Sequence, residues 1–323
     1  MKGEMEVKYS NLQKNKIVTA IKVVSAMLFL VTFAMLSGHS SADEPRIVSV
    51  SRVPAEDRAK MREAAPDKPI VTPKKKRHLL IYDVNGTYGG HGAIAWADIA
   101  FEIMGQKTGA FQVTLSRDNK VFRWESLQKY DAIFLNNIVG NPFNNNEYRG
   151  NILRFVREGG GLMGVHGTTM AFVEWSDKTR ETFPEFANMI GARGANHRAQ
   201  DETVHIKVEE PNHPLTKLFP AEGFEYKDEF FRFSNPYSRS NLRILLSIDT
   251  SKSNLFAPPY DKRKERADND YAIAWVRSYG KGRVFYCSLA HGNQTFMNPQ
   301  MLKFYLGGIQ YVLGDLSAPD EPR

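Results

Sequence analysis

Short apolar runs alternate with amphipathic helical patterns from residue 78 onward. The runs have the length of buried strands and lie at 78–83, 132–135 and 162–165, and residues 111–115 alternate as a further strand. Between the first two runs, one helical face carries Ile94, Ala97, Phe101 and Met104. This alternation predicts an α/β fold in which a mostly parallel sheet carries helices on both faces. Ligands bind at the carboxyl ends of the strands in such sheets, so functional residues are expected in the loops 85–92, 136–141 and 166–169.

The second half of the chain is richer in strands. Strand patterns lie at 203–208, 242–248, 271–277 and 283–288, and a last helix follows, with Met301, Phe304, Tyr305, Gly308 and Val312 on one face. Residues 251–270 are polar and charged and contain proline, which indicates a surface insertion.

The N-terminus has the three parts of a secretory signal. Lys14, Lys16 and Lys22 precede an apolar run at 23–36, and small residues follow up to Ala42. We expect cleavage after Ala42 and a periplasmic or secreted protein; the alternative is an uncleaved N-terminal membrane anchor. Residues 43–76 then form a polar linker or wrapping arm, 77–314 one domain, and 315–323 a C-terminal tail.

The charge argues against a nucleic-acid-binding protein, and the cysteine content excludes a fold held by internal disulfides. The chain has a net charge of +7, and residues 1–42 hold five lysines and two glutamates, so the mature chain keeps only +4. That surface is not basic enough to indicate a nucleic-acid partner. Cys287 is the single cysteine, so no internal disulfide can form, and its place in a strand pattern indicates a buried packing residue.

The run 159–169 has the composition of a strand followed by a sharp turn. Glycines flank the strand, and His166 stands where the strand ends. Such a turn resembles a nucleophile elbow, which forces the central side chain outward at the top of a sheet. Histidine there is suited to act as a base or a metal ligand, not as a covalent nucleophile. The alternative is a tight turn that contains an incidental histidine.

Further motifs follow one another in an order that resembles the ThuA (trehalose utilisation) family. Besides the turn at His166, they are Gly89-Gly90-His91-Gly92, the stretch 186–192 followed by His197, Asn212-His213-Pro214-Leu215-Thr216, Lys227-Asp228-Glu229, Ala274-Trp275, and 279–286 leading into His291. The resemblance covers 77–314. It implies a flavodoxin-like fold of the class I glutamine amidotransferase-like type. Those enzymes need a cysteine at the elbow, where this chain has His166, so glutamine hydrolysis is excluded.

The family resemblance implies sugar chemistry, especially that of 3-keto-glycosides made by partner oxidoreductases. Imidazoles delivered by loops, together with a carboxylate, suit zinc or a similar divalent ion. Candidate metal ligands are His91, His166 and His291. Candidate catalytic residues are His166, His91, Asp228 and Glu229, and candidate substrate-binding residues are His197, Trp275 and Thr168. Asp228 and Glu229 are adjacent, so at most one is expected to face the site. Trp275 is interpreted either as a core aromatic or as a sugar-stacking platform.

These residues suggest an exported enzyme for a sugar or glycoside that carries a carbonyl at C3. That carbonyl acidifies the C2 proton, and its removal leads to isomerisation or to elimination and net glycoside cleavage. A sugar 3-oxidoreductase is the expected pathway partner. One alternative is a carbohydrate-binding or accessory domain without catalysis. Another is a hydrolase with a carboxylate pair, but adjacent Asp228 and Glu229 cannot flank a scissile bond.

Overall fold

The computed structural model describes residues 52–86, 89–174, 180–255 and 266–323. The predicted signal peptide, and the cleavage site after Ala42, lie outside the described residues. Across the described ranges, no helix combines the length and apolar character needed to cross a membrane.

The first half of the chain contains most of the helices. The helices are α1 (Ala55–Ala64), α2 (Ile94–Thr108), α3 (Trp124–Leu127), α4 (Asn146–Arg157), α5 (Pro184–Ile190) and α6 (Pro299–Val312). The strands are β1 (His78–Tyr82), β2 (Gln112–Leu115), β3 (Ala132–Leu135), β4 (Val139–Gly140), β5 (Gly161–Val165), β6 (Met170–Ala171), β7 (Val173–Glu174), β8 (Arg180–Glu181), β9 (Arg193–His197), β10 (Glu202–Val208), β11 (Phe224–Asp228), β12 (Phe231–Ser234), β13 (Arg243–Ile248), β14 (Ala272–Tyr279) and β15 (Gly282–Cys287). Short 3-10 turns lie at Asn119–Phe122, His166–Thr169 and Asn293–Met297.

Local chemistry fixes where the long helices begin and end. The side chain of Asn145 accepts a hydrogen bond from the Tyr148 amide at the start of α4. Asn298 caps α6 in the same way. Asparagine is a preferred residue at this position because its oxygen satisfies an amide that has no partner within the helix. Gly109, in the left-handed region with φ 63°, ends α2.

One nine-stranded sheet forms the centre of the fold, in the order β11-β10-β13-β14-β15-β5-β3-β1-β2. The strands from β15 to β2 run parallel to one another, and the pairings from β15 to β11 are antiparallel. The α/β class is confirmed, but the sheet is mixed and not mostly parallel over its whole width. The reason is the short connection between β14 and β15, which contains Gly280 at φ 62°, because strands joined by a tight turn must pair antiparallel.

Helices cover both faces of the parallel part, as predicted. Along β1, Leu79 and Ile81 pack in one core cluster with α2 and α6, whereas Leu80 and Tyr82 pack in a second cluster with α4 and α5. This alternation is the two-residue period of a strand that is buried on both sides. Cys287 is fully buried and forms no disulfide, so its interpretation as a packing residue is confirmed.

The described part of the predicted linker packs against the domain. Residues 52–76 contain the unpredicted helix α1, whose Asp57 carboxylate accepts a hydrogen bond from Trp96 Nε1 at 2.9 Å. Further along, the buried Gln310 side chain of α6 accepts hydrogen bonds from the amides of Ile70 and Val71 and donates one to the Val71 carbonyl oxygen. Residues 52–76 are therefore an arm that is hydrogen-bonded to the last helix.

Candidate metal centre

His166 stands at the end of the fully buried strand β5. The strand ends at Val165, and His166 has φ 39°, in the left-handed region. Residues other than glycine adopt this conformation only where the surrounding structure enforces it, often at functional sites. The predicted strand and sharp turn are therefore confirmed. However, the side chain does not project outward, because the loops that follow β11 and β15 bury it completely.

Thr168 holds this turn together and does not face a ligand. Its hydroxyl oxygen lies 2.7 Å from the Leu135 carbonyl oxygen and 2.8 Å from that of Val165, and it accepts a hydrogen bond from the Val165 amide. The side chain is buried, and its hydrogen-bonding capacity is used by the backbone. The prediction that Thr168 binds substrate is therefore wrong.

A backbone carbonyl fixes the tautomer of His166. Nδ1 lies 2.9 Å from the carbonyl oxygen of Ser288, which can only accept, so Nδ1 carries the proton. On the other side of the ring, Nε2 lies 3.2 Å from Oε1 of Glu229. A neutral ring protonated at Nδ1 presents a lone pair at Nε2, and this lone pair faces a carboxylate that also only accepts. The contact therefore requires a positive charge between the two atoms, either a second proton on the ring or a metal ion.

Two further histidines meet His166 at the same edge of the sheet. His91 precedes α2, and His291 follows β15. The ring centres of His91 and His166 lie 4.7 Å apart. The ring centre of His291 lies 5.4 Å from that of His91 and 5.3 Å from that of His166. One potential ligand atom from each of these histidines and one from Glu229 all lie within 4.8 Å of one another. The structure thus brings the three predicted metal ligands together and adds Glu229.

Glu229 faces the histidines, whereas Asp228 faces the backbone. Oδ1 of Asp228 accepts hydrogen bonds from the amides of Glu229 and Gly292, both at 2.9 Å, and Oδ2 lies 3.5 Å from the Thr295 hydroxyl. Burial raises the pKa of Asp228 to about 6. The structure thus places the carboxylate of Asp228 on the backbone of Glu229 and of the loop that carries His291, and a catalytic role for Asp228 stays a prediction. The alternative of a hydrolase with a carboxylate pair is weakened for the same reason, because Asp228 does not face the site beside Glu229.

His197 lies at the open side of the group. Its Nδ1 is 3.3 Å from Oε2 of Glu229, and its side chain is 37% exposed, against 24% for His291 and none for His166. His197 pairs across strands with Phe231, whose ring packs against that of His166 at 4.6 Å between centres. Phe231 therefore forms an apolar wall, and His197 borders the side that a ligand can approach.

Trp275 belongs to the core. It is fully buried in β14, stacks on Tyr286 at 4.3 Å between ring centres, and donates a hydrogen bond from Nε1 to the Ile190 carbonyl oxygen at 2.8 Å. A tryptophan enclosed in this way cannot stack on a sugar. Of its two interpretations the core one is confirmed, and its assignment to substrate binding is wrong.

The surroundings favour the neutral forms of His91 and His291 and the ionised form of Glu229. Burial lowers the pKa of His91 well below 6.5, and the neighbouring His166, His291 and His197 lower it further. Burial and the charge of His166 likewise lower the pKa of His291. Burial alone would raise the pKa of Glu229, but hydrogen bonding and charge from His166 outweigh burial and lower it. Neutral imidazoles and an ionised carboxylate are the protonation states that metal binding requires.

The donor set fits a divalent metal ion such as zinc. Imidazole nitrogens and carboxylate oxygens are usual zinc ligands, at about 2.0–2.2 Å from the ion. Two ligands of one ion therefore lie at most about 4 Å apart, so a group within 4.8 Å needs only a small contraction. The hydrogen bond from His166 Nδ1 to the Ser288 carbonyl is the contact that metal-bound histidines usually make with their other nitrogen.

Three residues of the site were not found from the sequence: Asn137, Phe231 and Ser288. Asn137 lies in a loop expected to carry function because it follows β3, and this position is the only signal for it. Phe231 and Ser288 act through a ring face and a backbone carbonyl, which no sequence pattern marks.

A comparison with known protein families covers the part of the chain that contains these residues. The sequence profile of the family described as "Trehalose utilisation" (ThuA) matches residues 78–312, from β1 to the end of α6. The chain belongs to the ThuA family. The resemblance inferred from the motifs is thus confirmed, and all four residues of the candidate metal centre fall within the matched range of this ThuA chain.

Solved structures of ThuA-like proteins share the fold. One from Bacteroides uniformis ATCC 8492 is 20% identical, with a TM-score of 0.59, over 76% of this chain and 93% of its own. Another from Parabacteroides merdae ATCC 43184 is 18% identical, with a TM-score of 0.54, over 75% of this chain and 92% of its own. No protein of curated function matches this chain. At these identities the likeness shows the fold alone.

Proposed function

We propose that this ThuA-family protein is a metal-dependent enzyme that acts on sugars or glycosides oxidised at C3, by abstraction of the C2 proton. The observation that carries the proposal is the 3.2 Å contact between His166 Nε2 and Glu229 Oε1, two atoms that both need a cation. His91 and His291 supply further neutral ligands around the same point. The family description, trehalose utilisation, supports a sugar as the substrate class.

In this proposal His91, His166, His291 and Glu229 hold a divalent ion. When bound, the ion would polarise a substrate carbonyl and stabilise the negative charge that develops on its oxygen. A 3-keto-sugar presents such a carbonyl, and loss of its C2 proton places charge on that oxygen. The four residues are rigidly placed for this task, since Ser288 orients His166 and Asp228 orients Glu229.

The proton requires a base on the open side of the site. Glu229 presents Oε1 to His166 and Oε2 to Nδ1 of His197, so one carboxylate serves both residues. A carboxylate that faces one imidazole nitrogen orients the ring and favours proton uptake at the other. We assign the C2 proton to Nε2 of His197. From there it returns to the sugar in an isomerisation or reaches the departing C1 oxygen in an elimination.

The proposal extends to the surroundings of the enzyme. Export is supported by the charged, apolar and small-residue order of 1–42, and the substrate would come from a sugar 3-oxidoreductase. The finer fold assignment is supported by the parallel part of the sheet, whose order β2-β1-β3-β5-β15 corresponds to the flavodoxin-like order. N-terminal sequencing of the protein recovered from the cell envelope would test the cleavage after Ala42.

The deciding experiment measures metal and product on the same purified protein. Element analysis should find about one divalent ion per chain, and incubation with a 3-keto-glucoside should give an isomerised or cleaved product, while the unoxidised glucoside stays intact. His291→Ala and His166→Ala should lose both metal and turnover. His205→Ala is the matched control. His205 lies on β10, where its ring contacts the Glu222 carbonyl oxygen, so this variant should keep both metal and turnover.

Two results would contradict the proposal. Full turnover by His166→Ala would discard the mechanism. Stabilisation of the wild-type protein by a keto-sugar without any product would favour the non-catalytic carbohydrate-binding domain.

A further inference from the structure

Asn137 lies at the carboxyl end of β3 in a conformation that asparagine tolerates better than most residues. Its φ is 58°, in the left-handed region, and it is almost completely buried. The strands β3, β5 and β15 are neighbours in the sheet, so their carboxyl ends meet at this point. Those ends carry Asn137, His166 and the loop that leads to His291.

The amide of Asn137 bonds both of the neighbouring loops. Its Oδ1 accepts a hydrogen bond from the Gly167 amide at 2.8 Å, directly after His166. Its Nδ2 donates to the carbonyl oxygen of Ala290 at 3.1 Å, directly before His291. One planar group therefore connects the two loops, each at the residue next to a histidine of the metal centre.

The preceding residue connects the third histidine to the same strand end. Nδ2 of Asn136 donates to the Ile94 carbonyl oxygen at 2.9 Å, and the Ile94 amide donates to the His91 carbonyl oxygen at 3.3 Å. Both bonds of Asn137, in contrast, go to the loops of His166 and His291. Asn137 therefore adds a side-chain link between these two loops beyond the β5–β15 pairing and the bond from His166 to the Ser288 carbonyl oxygen.

Only an amide suits both contacts. Gly167 N–H needs an acceptor and the Ala290 carbonyl needs a donor, and asparagine offers both on adjacent atoms. An aspartate in the same place would keep the first bond and turn a second acceptor toward the Ala290 carbonyl. A glycine would keep the backbone conformation at no steric cost and lose both bonds.

We propose that Asn137 is a positioning residue for the metal centre: it fixes the distance between the His166 and His291 loops and thereby sets the affinity for the metal ion. The inference rests on the proposed metal centre and adds to it a residue that does not contact the ion. Residues that orient metal ligands in this way typically contribute about 10–100-fold to metal affinity.

The test compares Asn137→Asp and Asn137→Gly with the wild-type protein in a Co²⁺ titration, followed by the visible absorption of the bound ion and by calorimetry. Both variants should bind Co²⁺ about 10–100-fold more weakly, and the absorption band should change in shape or intensity. Asn151→Asp is the control. It removes the donor of a comparable bond, from Nδ2 to the Phe122 carbonyl oxygen at 3.0 Å, between α4 and the turn 119–122.

The glycine variant guards against loss of fold, since the left-handed backbone is natural for it. Unchanged Co²⁺ affinity and spectrum in a folded Asn137→Gly would overturn the inference while leaving the metal centre in place. A wild-type protein that binds no Co²⁺ would overturn the inference and the metal-dependent function together. Weaker Co²⁺ binding by Asn137→Gly, together with unchanged Co²⁺ binding by Asn151→Asp, would support the inference.

Discussion

Nε2 of His166 and Oε1 of Glu229 lie 3.2 Å apart, although the proton of the neutral ring is held at Nδ1 by the Ser288 carbonyl. Glu229→Gln tests what this contact is for. The glutamine can donate from its amide to Nε2, so the metal-free protein should be as stable as the wild type or more so. Metal affinity should fall at least about tenfold, because an anionic ligand is lost. Thermal unfolding without metal and calorimetric titration with Zn²⁺ measure the two effects. Equal Zn²⁺ affinity in both proteins would contradict the assignment of Glu229 as a ligand.

Asp228 should behave as a positioning residue in a pair of substitutions. Asp228→Asn retains an oxygen that can accept from the amides of Glu229 and Gly292, so we expect a loss of stability below about 1 kcal/mol and most of the turnover. Asp228→Ala leaves two buried amides without an acceptor and should cost about 2–5 kcal/mol. Urea unfolding and the rate with a 3-keto-glucoside measure both. Abolished turnover in a stable Asp228→Asn protein would support a catalytic role.

Gly167→Ala should disturb the centre by steric contact. A β-carbon at this position would lie 2.6 Å from Val139 Cγ2, 2.7 Å from Asn137 Oδ1 and 3.1 Å from His91 Cε1. Overpacking of this kind costs about 1–3 kcal/mol, and the shift of His91 should weaken metal binding as well.

The control is Gly150→Ala, on an exposed turn of α4 where a β-carbon meets nothing within 4 Å. It should raise stability by about 0.5–1 kcal/mol and leave metal binding unchanged. Normal metal affinity in Gly167→Ala would show that the close approach of residue 167 to His91 does not determine the position of His91.

The stability of the metal-free protein should depend on pH through His91. In the unfolded chain this histidine takes up a proton as the pH falls through about 6.5, whereas burial keeps the folded residue neutral. The unfolded state therefore binds more protons, and stability falls as the pH drops from 7 to 5. Asp228, with its pKa of about 6, has the opposite effect, since the folded state takes up the proton first. His91→Asn retains Asp228, so the difference between the two proteins isolates His91.

We expect the wild-type protein to lose about 1.4 kcal/mol relative to His91→Asn for each unit by which folding lowers the pKa of His91. Urea unfolding at several pH values measures this difference. Parallel pH profiles would mean that His91 keeps an ordinary pKa in the folded protein.

Trp275→Phe should affect stability alone. The substitution removes the donor to the Ile190 carbonyl oxygen inside the core, at a cost of about 1–3 kcal/mol. KM for a keto-glycoside and the affinity for Zn²⁺ should stay at wild-type values. A rise in KM without loss of stability would place Trp275 at the substrate after all.

The parallel half of the sheet was predictable because β1, β3 and β5 are buried on both faces and appear as apolar runs, while the edge strand β2 shows alternation. The antiparallel half was predicted as strands, but their direction depends on which neighbour each one joins, and no local pattern encodes that. Helix α1 was missed because only Met61 on it is buried, so it has no apolar period to detect. Its position depends on contacts with α2.

The histidines of the site were predictable, and their supporting residues were less so. A histidine that follows a strand at the carboxyl edge is visible in the sequence, as with His166 and His291. Adjacency showed that Asp228 and Glu229 face opposite ways, but the choice between them depends on the register of β10 and β11, where Glu202 pairs with Asp228. Asn137 acts through two distant loops, so its role becomes visible only once these are folded together.

The bond between Gln310 and the arm has a consequence for biosynthesis. Ile70 and Val71 leave the ribosome about 240 residues before Gln310, and chains fold as they emerge from the amino terminus. The arm of the nascent chain therefore cannot form its hydrogen bonds to Gln310 until α6 has been synthesised. A truncated product that ends before this helix would carry an undocked arm, even if β1 to β15 had already assembled.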